Sequence, residues 1–337
     1  MKILFYDLTA PLPYTDLTLQ QQALRGTEAS IVRVAHGLQN QHDVFVAQQC
    51  RATMDNIQRE KVNYISLETA HDLNPDVTIL VRDYRGLAQM GKQFPRAHHY
   101  FWLHNLPAKK LYDVSDVLTK YQYTIISVSH FHRKLIEKRL AIKWYHRIFG
   151  NRQANIPVIT IYNPIDDELK KDGTVINPTQ MIFTSSAYKG LDLTLEAFTQ
   201  LRKKFPEYRL LVICPDSLSK NLVMPEQVTL INALPPHQLI QYIRESFCVF
   251  YPQTQRVETF GFVYAEANAV GTPVLAHDFG AASEVLSNAT QLVNGNHSAE
   301  IINKITEWRI QRPLVELKEE FRLKNVIKEW NDCLQSS

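Results

Sequence analysis

The sequence predicts an α/β protein made of two successive doubly wound domains. Three observations carry this. The chain has 337 residues, about twice a typical domain of roughly 150. Short β-rich runs alternate with helix-period segments, and this pattern occurs in both halves. The runs are apolar almost throughout, as strands of a parallel sheet must be when helices cover both faces. With 45% apolar residues, 15 Phe, 15 Tyr and 4 Trp, a disordered chain is excluded.

In the first half the strand candidates are KILFYD (2–7), DVFVAQ (43–48), VTILV (77–81), HHYFWLH (98–104), YTIISVS (123–129) and the run PVITIY that ends at Tyr162. Helical patterns such as 27–40 and 131–141 separate them. The boundary falls at Tyr162-Asn163-Pro164-Ile165-Asp166, where Pro164 removes a backbone donor and the polar stretch DDELKKDG follows. In the second half the strands read MIFTS (181–185), YRLLVIC (208–214), QVTLIN (227–232), FCVFYP (247–252), TPVLAH (272–277) and TQLV (290–293). Its helices read 191–204, 236–245, 262–270 and 299–310. The expected domains are therefore 1–163 and 164–314, with the amphipathic C-terminal helix, about 315–337, crossing back to the first.

No apolar run approaches the roughly 18 to 20 residues of a membrane-spanning helix. Asp7 interrupts the only N-terminal apolar stretch, which makes a poor signal peptide. The four cysteines, Cys50, Cys214, Cys248 and Cys333, form no CxxC pair, so a reducing cytoplasm is expected rather than a disulfide scaffold or zinc ribbon. Residues 1–163 carry 20 Lys+Arg and 13 Asp+Glu, net +7, whereas residues 164–337 carry 17 and 21, net −4. The first half is expected to face something anionic.

No two of the 11 glycines are separated by a single residue, so GxGxxG is absent, and so is GxxxxGK[ST]. A dinucleotide dehydrogenase and a P-loop NTPase are both disfavoured. The richest segment is VETFGFVYAEANAVGTPVLAHDFGAASEVL, Val257 to Leu286. It follows a strand, so Glu258 to Gly261 form a loop and Phe262 opens a helix whose N-terminus presents N–H groups and a partial positive charge. A carboxylate at Glu258 can accept from sugar hydroxyls, and one at Glu266 from an adjacent diol such as a ribose.

The specificity lies in the surroundings of this Glu pair: an aromatic-Gly step, an Ala-rich helix, Gly271-Thr-Pro273-Val, then Gly280 and Glu284. This combination resembles the retaining nucleotide-sugar glycosyltransferases of family 4, which have the GT-B fold. Arg25-Gly26-Thr27-Glu28 resembles that family's Gly-Gly-x-Glu start, Ser129 its strand end, Asn163-Pro-Ile-Asp166 its interdomain linker, and SSAYKGLDLTLEAF (185–198) its Lys-Gly phosphate segment. The resemblance implies two Rossmann-like domains facing a central cleft. It implies that Glu266 binds the donor ribose, that Glu258 holds the transferred sugar, and that Lys189 neutralises the diphosphate, with Ser186 nearby. The loop Thr259, Phe260, Gly261 and Phe262 would contact sugar and phosphates. Gly26 and Thr27 would bring backbone N–H groups to the same phosphates, and His104 would sit near donor sugar or acceptor. Glu258, His104 and Lys189 are thus the candidate catalytic residues. One departure stands out: the family's Arg a few residues before the Lys is replaced by Thr184, Ser185 and Ser186, and Arg25 is a candidate substitute.

The implied reaction transfers a sugar from a nucleotide-diphosphate donor to an acceptor hydroxyl, with retention and without a metal or other cofactor. A cation, a helix terminus and loop amides stabilise the leaving diphosphate. The acceptor is expected to be a glycan or a lipid-linked glycan of a cell envelope, and nucleic acid is not an expected partner. Rival readings are a nucleotide-sugar epimerase of similar architecture, an inactive nucleotide-sugar-binding protein, and a two-carboxylate glycosidase, which would need no phosphate-binding features. His98, His99 and His104 lack an accompanying carboxylate or Cys cluster, which disfavours a metal site. Residues 130–152 carry seven Lys+Arg against one Glu, interleaved with Trp144, Tyr145 and Phe149. This stretch reads either as a solvated helix face or as a peripheral contact with the inner face of an anionic membrane.

Overall fold

The computed structural model describes residues 1–141, 156–214 and 224–335, and the chain divides into two compact units. The first comprises Met1–Leu17, Leu24–Pro164 and Leu323–Ser337; the second comprises Thr18–Ala23 and Ile165–Arg322.

The first unit holds an eight-stranded sheet: β1 (Lys2–Asp7), β2 (Asp43–Gln48), β3 (Ile57–Arg59), β4 (Val62–Ser66), β5 (Val77–Val81), β6 (His98–Trp102), β7 (Thr124–Ser127) and β8 (Val158–Thr160), in the order β3-β4-β2-β1-β5-β6-β7-β8. All pairings are parallel except β3 with β4. Phe5 stands opposite Val46 on one side and Ile79 on the other, fixing β1 at the centre. The chain winds outward from β1 to β4, then returns to β5 and winds the other way. Between β1 and β5 lies the switch point, where sheets of this kind bind ligands beyond the carboxyl ends of the strands.

Alternate strand residues fill two cores. Leu4, Tyr6, Leu80, Phe101 and Ile125 pack with Leu87, Met90 and Leu118 in one cluster. Phe5 and Trp102 pack with Trp330 of the C-terminal helix Leu323–Gln335, their ring centroids 6.2 and 5.0 Å from its own. That helix lies against the helix Gly26–Leu38, where a Cβ on Gly37 would fall 2.3 Å from Ile327 Cδ1. His42 Nε2 and Asn331 Oδ1 are 2.9 Å apart across the same junction. Each fully buried large apolar side chain contributes about 1.5–3 kcal/mol, so Trp330 firmly anchors the chain terminus to this unit. Residues 315–322 stay with the second unit.

The second unit holds a six-stranded parallel sheet: β9 (Asn177–Thr184), β10 (Arg209–Ile213), β11 (Val228–Ile231), β12 (Ser246–Tyr251), β13 (Val274–His277) and β14 (Leu292–Val293), in the order β11-β10-β9-β12-β13-β14. Here the winding reverses between β9 and β12. The helices Leu191–Lys204 and Pro236–Glu245 keep their expected limits, because Gly190 and Pro235-Pro236 punctuate them.

Sequence and structure differ in three places. β3 and β4 were not expected: β3 is an exposed edge strand, and Asn63 interrupts the apolar run of β4. His104 was expected to end a strand, but β6 stops at Trp102, so only His98 and His99 share it. β9 begins four residues earlier than the apolar run MIFTS, since Asn177 to Gln180 enter the sheet on polar residues.

Candidate active site

In the second unit the sequence-predicted residues gather beyond the carboxyl ends of β9 and β12. After β9 the chain turns through Ser185 to Gly190, with the Lys189 N–H donating to the Ser186 carbonyl at 2.9 Å. Gly190 takes φ +85°, and a Cβ there would lie 2.5 Å from Gln253 Cβ. Only glycine permits both the left-handed turn and that approach. After β12, buried Gln253 accepts from the N–H groups of Gln255 (3.0 Å) and Arg256 (2.9 Å) and donates to the Arg256 carbonyl at 2.7 Å. These three bonds pin the loop that carries Glu258. Gly261, with φ +88°, then opens the helix Phe262–Ala269.

Lys189 Nζ donates to both carboxylate oxygens of Glu258, at 2.9 and 3.0 Å. The Tyr251 hydroxyl donates to Glu258 Oε1 at 3.0 Å, and Ser185 Oγ lies 3.5 Å from that hydroxyl. Burial, reinforced by the Glu258 charge, pushes the Tyr251 and Tyr264 phenols well above their ordinary range, so both remain protonated. The Glu258 side chain is 11% exposed and that of Lys189 31%. The sequence assigned these two residues to separate tasks, on the sugar and on the diphosphate, whereas the structure joins them as an ion pair. Glu266 sits half-buried on the helix Phe262–Ala269, and Thr259 is half-buried in the loop before it. Phe260 is buried, its ring 5.5 Å from Phe262 and 5.3 Å from Phe321. Arg256 Nε donates to the Tyr188 carbonyl at 3.3 Å, which places a further guanidinium against the segment that ends in Lys189.

Tyr251, Gln253 and Arg256 escaped the sequence reading. Tyr251 ends an apolar run and reads as core, and Gln253 and Arg256 are single polar residues in a loop.

In the first unit Gly26 and Thr27 form the first turn of the helix Gly26–Leu38, after Arg25 in extended conformation. Beside them lies a buried network that no motif announced. Arg82, at φ +50° just after β5, donates through Nη2 to Glu28 Oε1 at 2.6 Å and through Nε to Thr9 Oγ1 at 2.6 Å. Its Nη2 also lies 3.8 Å from Asp7 Oδ2, which accepts from the Tyr14 hydroxyl at 3.1 Å. A non-glycine residue in the left-handed region costs of order 1–3 kcal/mol and persists where its surroundings over-determine it. His104 is buried in the loop after β6, its ring centroid 4.5 Å from that of Trp102. Burial, then the Arg82 charge, then His132, hold its pKa well below the ordinary value, so the imidazole is neutral. Among the described residues no three His, Cys, Asp or Glu side chains cluster to hold a metal ion.

Residues 168–324, nearly the whole of the second unit, match the family model of glycosyl transferases group 1. The second unit is a group 1 glycosyltransferase domain. A D-inositol 3-phosphate glycosyltransferase of Nocardia farcinica is 32% identical to this chain over 128 residues, 33% of this chain and 28% of that protein. The chain thus matches well under half the length of that curated relative. Solved structures extend the likeness to the full chain. Sucrose-phosphate synthase from Thermosynechococcus elongatus superposes with a TM-score of 0.73 at 13% identity, covering 100% of this chain and 99% of that one. An α,α-trehalose-phosphate synthase (UDP-forming) from Burkholderia xenovorans, in complex with glucose-6-phosphate, gives 0.71 at 10% identity over 99% and 100%. The fold of the chain, with its two Rossmann-like units, is the GT-B fold of these solved structures.

Proposed function

We propose that the chain transfers a sugar from a nucleotide-diphosphate donor to an acceptor hydroxyl. The observation that carries this reading is the Lys189–Glu258 pair, held by Tyr251 at the switch point of the unit that matches the family model. Breaking the anomeric C–O bond puts negative charge on the departing diphosphate and positive character on the sugar. Lys189, the N-terminus of the helix Phe262–Ala269 and the amides of Thr259 to Phe262 meet the first charge. Glu258 accepts from sugar hydroxyls while Lys189 and Tyr251 fix its carboxylate. Glu266 takes the ribose diol, Ser186 lines the phosphate segment, Gly26 and Thr27 bring backbone N–H groups to the donor's phosphates, and neutral His104 serves near the donor sugar or acceptor. In this reading the protein's own cations and amides stabilise the leaving group, no cofactor is needed, and the product retains the donor's configuration. The departing phosphate takes the acceptor proton.

The acceptor is a glycan or lipid-linked glycan, and the reaction belongs on the cytoplasmic side of the cell envelope. Among the described residues no helix is long and apolar enough to cross a membrane. The basic helix His130–Leu140 presents Lys134 and Lys138 to solvent. The rest of the basic stretch, from Ile142 to Arg152, lies outside the described residues. Peripheral contact with anionic lipid through residues 130–152 predicts sedimentation with anionic vesicles at low salt. Sedimentation that survives Lys138→Glu together with Arg139→Glu counts against that contact.

A thermal-shift screen against UDP-, GDP-, ADP- and CMP-sugars, followed by turnover assays, tests the transferase reading. Glu266→Ala is expected to weaken donor binding. Glu258→Ala is expected to lower turnover by roughly 10²–10³-fold, the usual cost of removing one preorganised group that stabilises the transition state. Full activity in both variants overturns the assignment. Conversion of the donor to an epimer without any acceptor establishes the epimerase alternative.

A further inference from the structure

Residues 311–322, between the helix Ser298–Ile310 and the C-terminal helix, carry one 3₁₀ turn at Glu319–Phe321 and otherwise no regular structure, yet they are tied down along their length. Arg312 donates to the carbonyls of Phe247 (Nε, 2.8 Å) and Gly271 (Nη1, 3.2 Å), at the amino ends of β12 and β13. The Asn288 side-chain amide donates to the Leu314 carbonyl at 3.2 Å. Leu317 is buried, and Lys318 Nζ donates to the Glu284 carbonyl at 2.6 Å. Phe321 is fully buried. All of these partners belong to the second unit. Ordering such a strap costs conformational entropy, which these ties must offset.

Two contacts join the strap to the loop that carries Glu258. The Phe321 ring meets that of Phe260 edge to face, with centroids 5.3 Å apart and planes at 88°, an arrangement that aromatic quadrupoles prefer. Lys318 holds the short helix Ala282–Val285, and the Ala281 N–H just before it donates to the Glu258 carbonyl at 3.1 Å. A further contact joins the strap to the start of the unit. The chain passes from the first unit to the second at Pro164–Ile165 and back at Arg322–Leu323. Those two passages are paired. The Ile165 N–H donates to the Phe321 carbonyl at 2.8 Å, Ile165 and Arg322 form a parallel bridge, and Arg322 Nη1 donates to the Leu169 carbonyl at 2.8 Å. Phe321 therefore offers its ring to the donor loop and its carbonyl to the passage at Ile165.

We propose that Phe321 is a positioning residue that links the donor loop to the paired passages, so that nucleotide bound at residues 258–262 strengthens the Ile165–Phe321 pairing. Phe260 and Phe321 are both buried, and close-packed side chains transmit a displacement instead of absorbing it. Linkage makes the effect reciprocal: the factor that nucleotide adds to the pairing, the pairing adds to nucleotide affinity. That nucleotide is the ligand rests on the transferase reading; the link between loop and strap does not.

Hydrogen exchange of the full chain, read at the Ile165 amide with and without saturating UDP, GDP, ADP or CMP, tests the proposal. The nucleotide that binds should slow exchange there by about fivefold or more. In Phe321→Ala the slowing should vanish, and affinity for the same nucleotide should fall by the factor lost, an equality that a merely structural role does not require. Phe321→Leu keeps apolar bulk and should retain part of both effects; it stands in if the alanine variant fails to fold. Without ligand, Phe260→Ala should speed exchange at Ile165 by about fivefold or more, whereas Ile305→Ala, at a buried position in the helix Ser298–Ile310, should not. Three results overturn the proposal: exchange at Ile165 unmoved by a bound nucleotide, slowing undiminished in the Phe321 variants that fold, or Phe260→Ala speeding exchange no more than Ile305→Ala does. If none of the nucleotides binds the parent chain, the transferase reading falls, and the Phe260→Ala arm still decides the link.

Discussion

Each unit places a cation–carboxylate pair beyond the strands where its winding reverses, but the two pairs are built differently. In the second unit Lys189 and Glu258 are 31% and 11% exposed and sit on loops closed by glycines. In the first unit Arg82, Glu28 and Asp7 are 10%, 3% and 0% exposed, and the arginine itself takes the left-handed turn. A partly solvated pair can exchange its partner for a ligand at little cost. A buried pair cannot, because either charge left behind is unsolvated. The first arrangement suits a site whose lysine faces a diphosphate from its exposed side while it still holds the glutamate. The second suits a scaffold that holds a guanidinium still.

The largest expected effect tests this contrast directly. Arg82→Met strands two buried carboxylates, Asp7 and Glu28, and should destabilise the first unit by about 3–5 kcal/mol. Lys189→Met leaves buried Glu258 with the Tyr251 hydroxyl as its donor and should cost less, about 1–3 kcal/mol in stability, while weakening nucleotide binding. Urea denaturation of both variants provides the measurement. Equal stability losses would erase the distinction between scaffold pair and ligand pair.

A second difference concerns protons. His132 is buried at the start of the helix His130–Leu140, where its Nε2 donates to the Asn105 carbonyl at 2.9 Å and its Nδ1 accepts from the Val128 N–H at 3.4 Å. Both nitrogens are used as a neutral imidazole uses them, and burial lowers its pKa to about 4. His99, beside Thr78 Oγ1 at 2.7 Å, is likewise lowered to about 4, by burial first and His98 second. In both cases the folded pKa lies below the unfolded value of about 6.5. Between these values the unfolded chain binds the proton and the folded one does not, so stability is complete above about pH 6.5 and falls as pH drops toward 4. Each histidine accounts for a loss of about 3 kcal/mol once pH is below both values. Urea curves at pH 7, 5.5 and 4.5, followed through buried Trp102 and Trp330 in a background with both Trp144→Phe and Trp308→Phe, should show this loss. His132→Gln should remove about half of the pH dependence attributed to the pair; an unchanged slope contradicts it.

The same contrast explains what could be read from the sequence. The second unit's site lies in two short stretches, Lys189-Gly190 and Glu258 to Glu266, because each strand end and the helix after it are contiguous. Glycine, aromatic and acidic residues at fixed offsets therefore announce it. The first unit's network draws Asp7 and Thr9, Glu28, and Arg82 from three separate places, and each is bland where it stands. Nothing in Val81-Arg82-Asp83 signals a left-handed arginine, since the conformation is imposed by Glu28 and Thr9 from outside the segment. For similar reasons, the helices ending at Lys204 and Glu245 are legible from their own glycine and proline signals, whereas β3 exists only because β4 offers it an edge.

The smallest expected effect concerns how Glu258 is held. Its carboxylate receives two bonds from Lys189 and one from the Tyr251 hydroxyl. Tyr251→Phe deletes one donor and leaves the ring contacts with Phe183 and Tyr264 intact. A hydrogen bond to a charged group contributes about 1.5–3 kcal/mol, and Lys189 retains its grip, so the loss should sit at the lower end. If Tyr251 acts by positioning, turnover should fall by about tenfold while nucleotide affinity, which the proposed function assigns to Lys189 and Glu266, barely moves. A variant that loses thermal stability but keeps its turnover number would make Tyr251 a packing residue, and the partly solvated Lys189–Glu258 pair would then stand without the buried phenol.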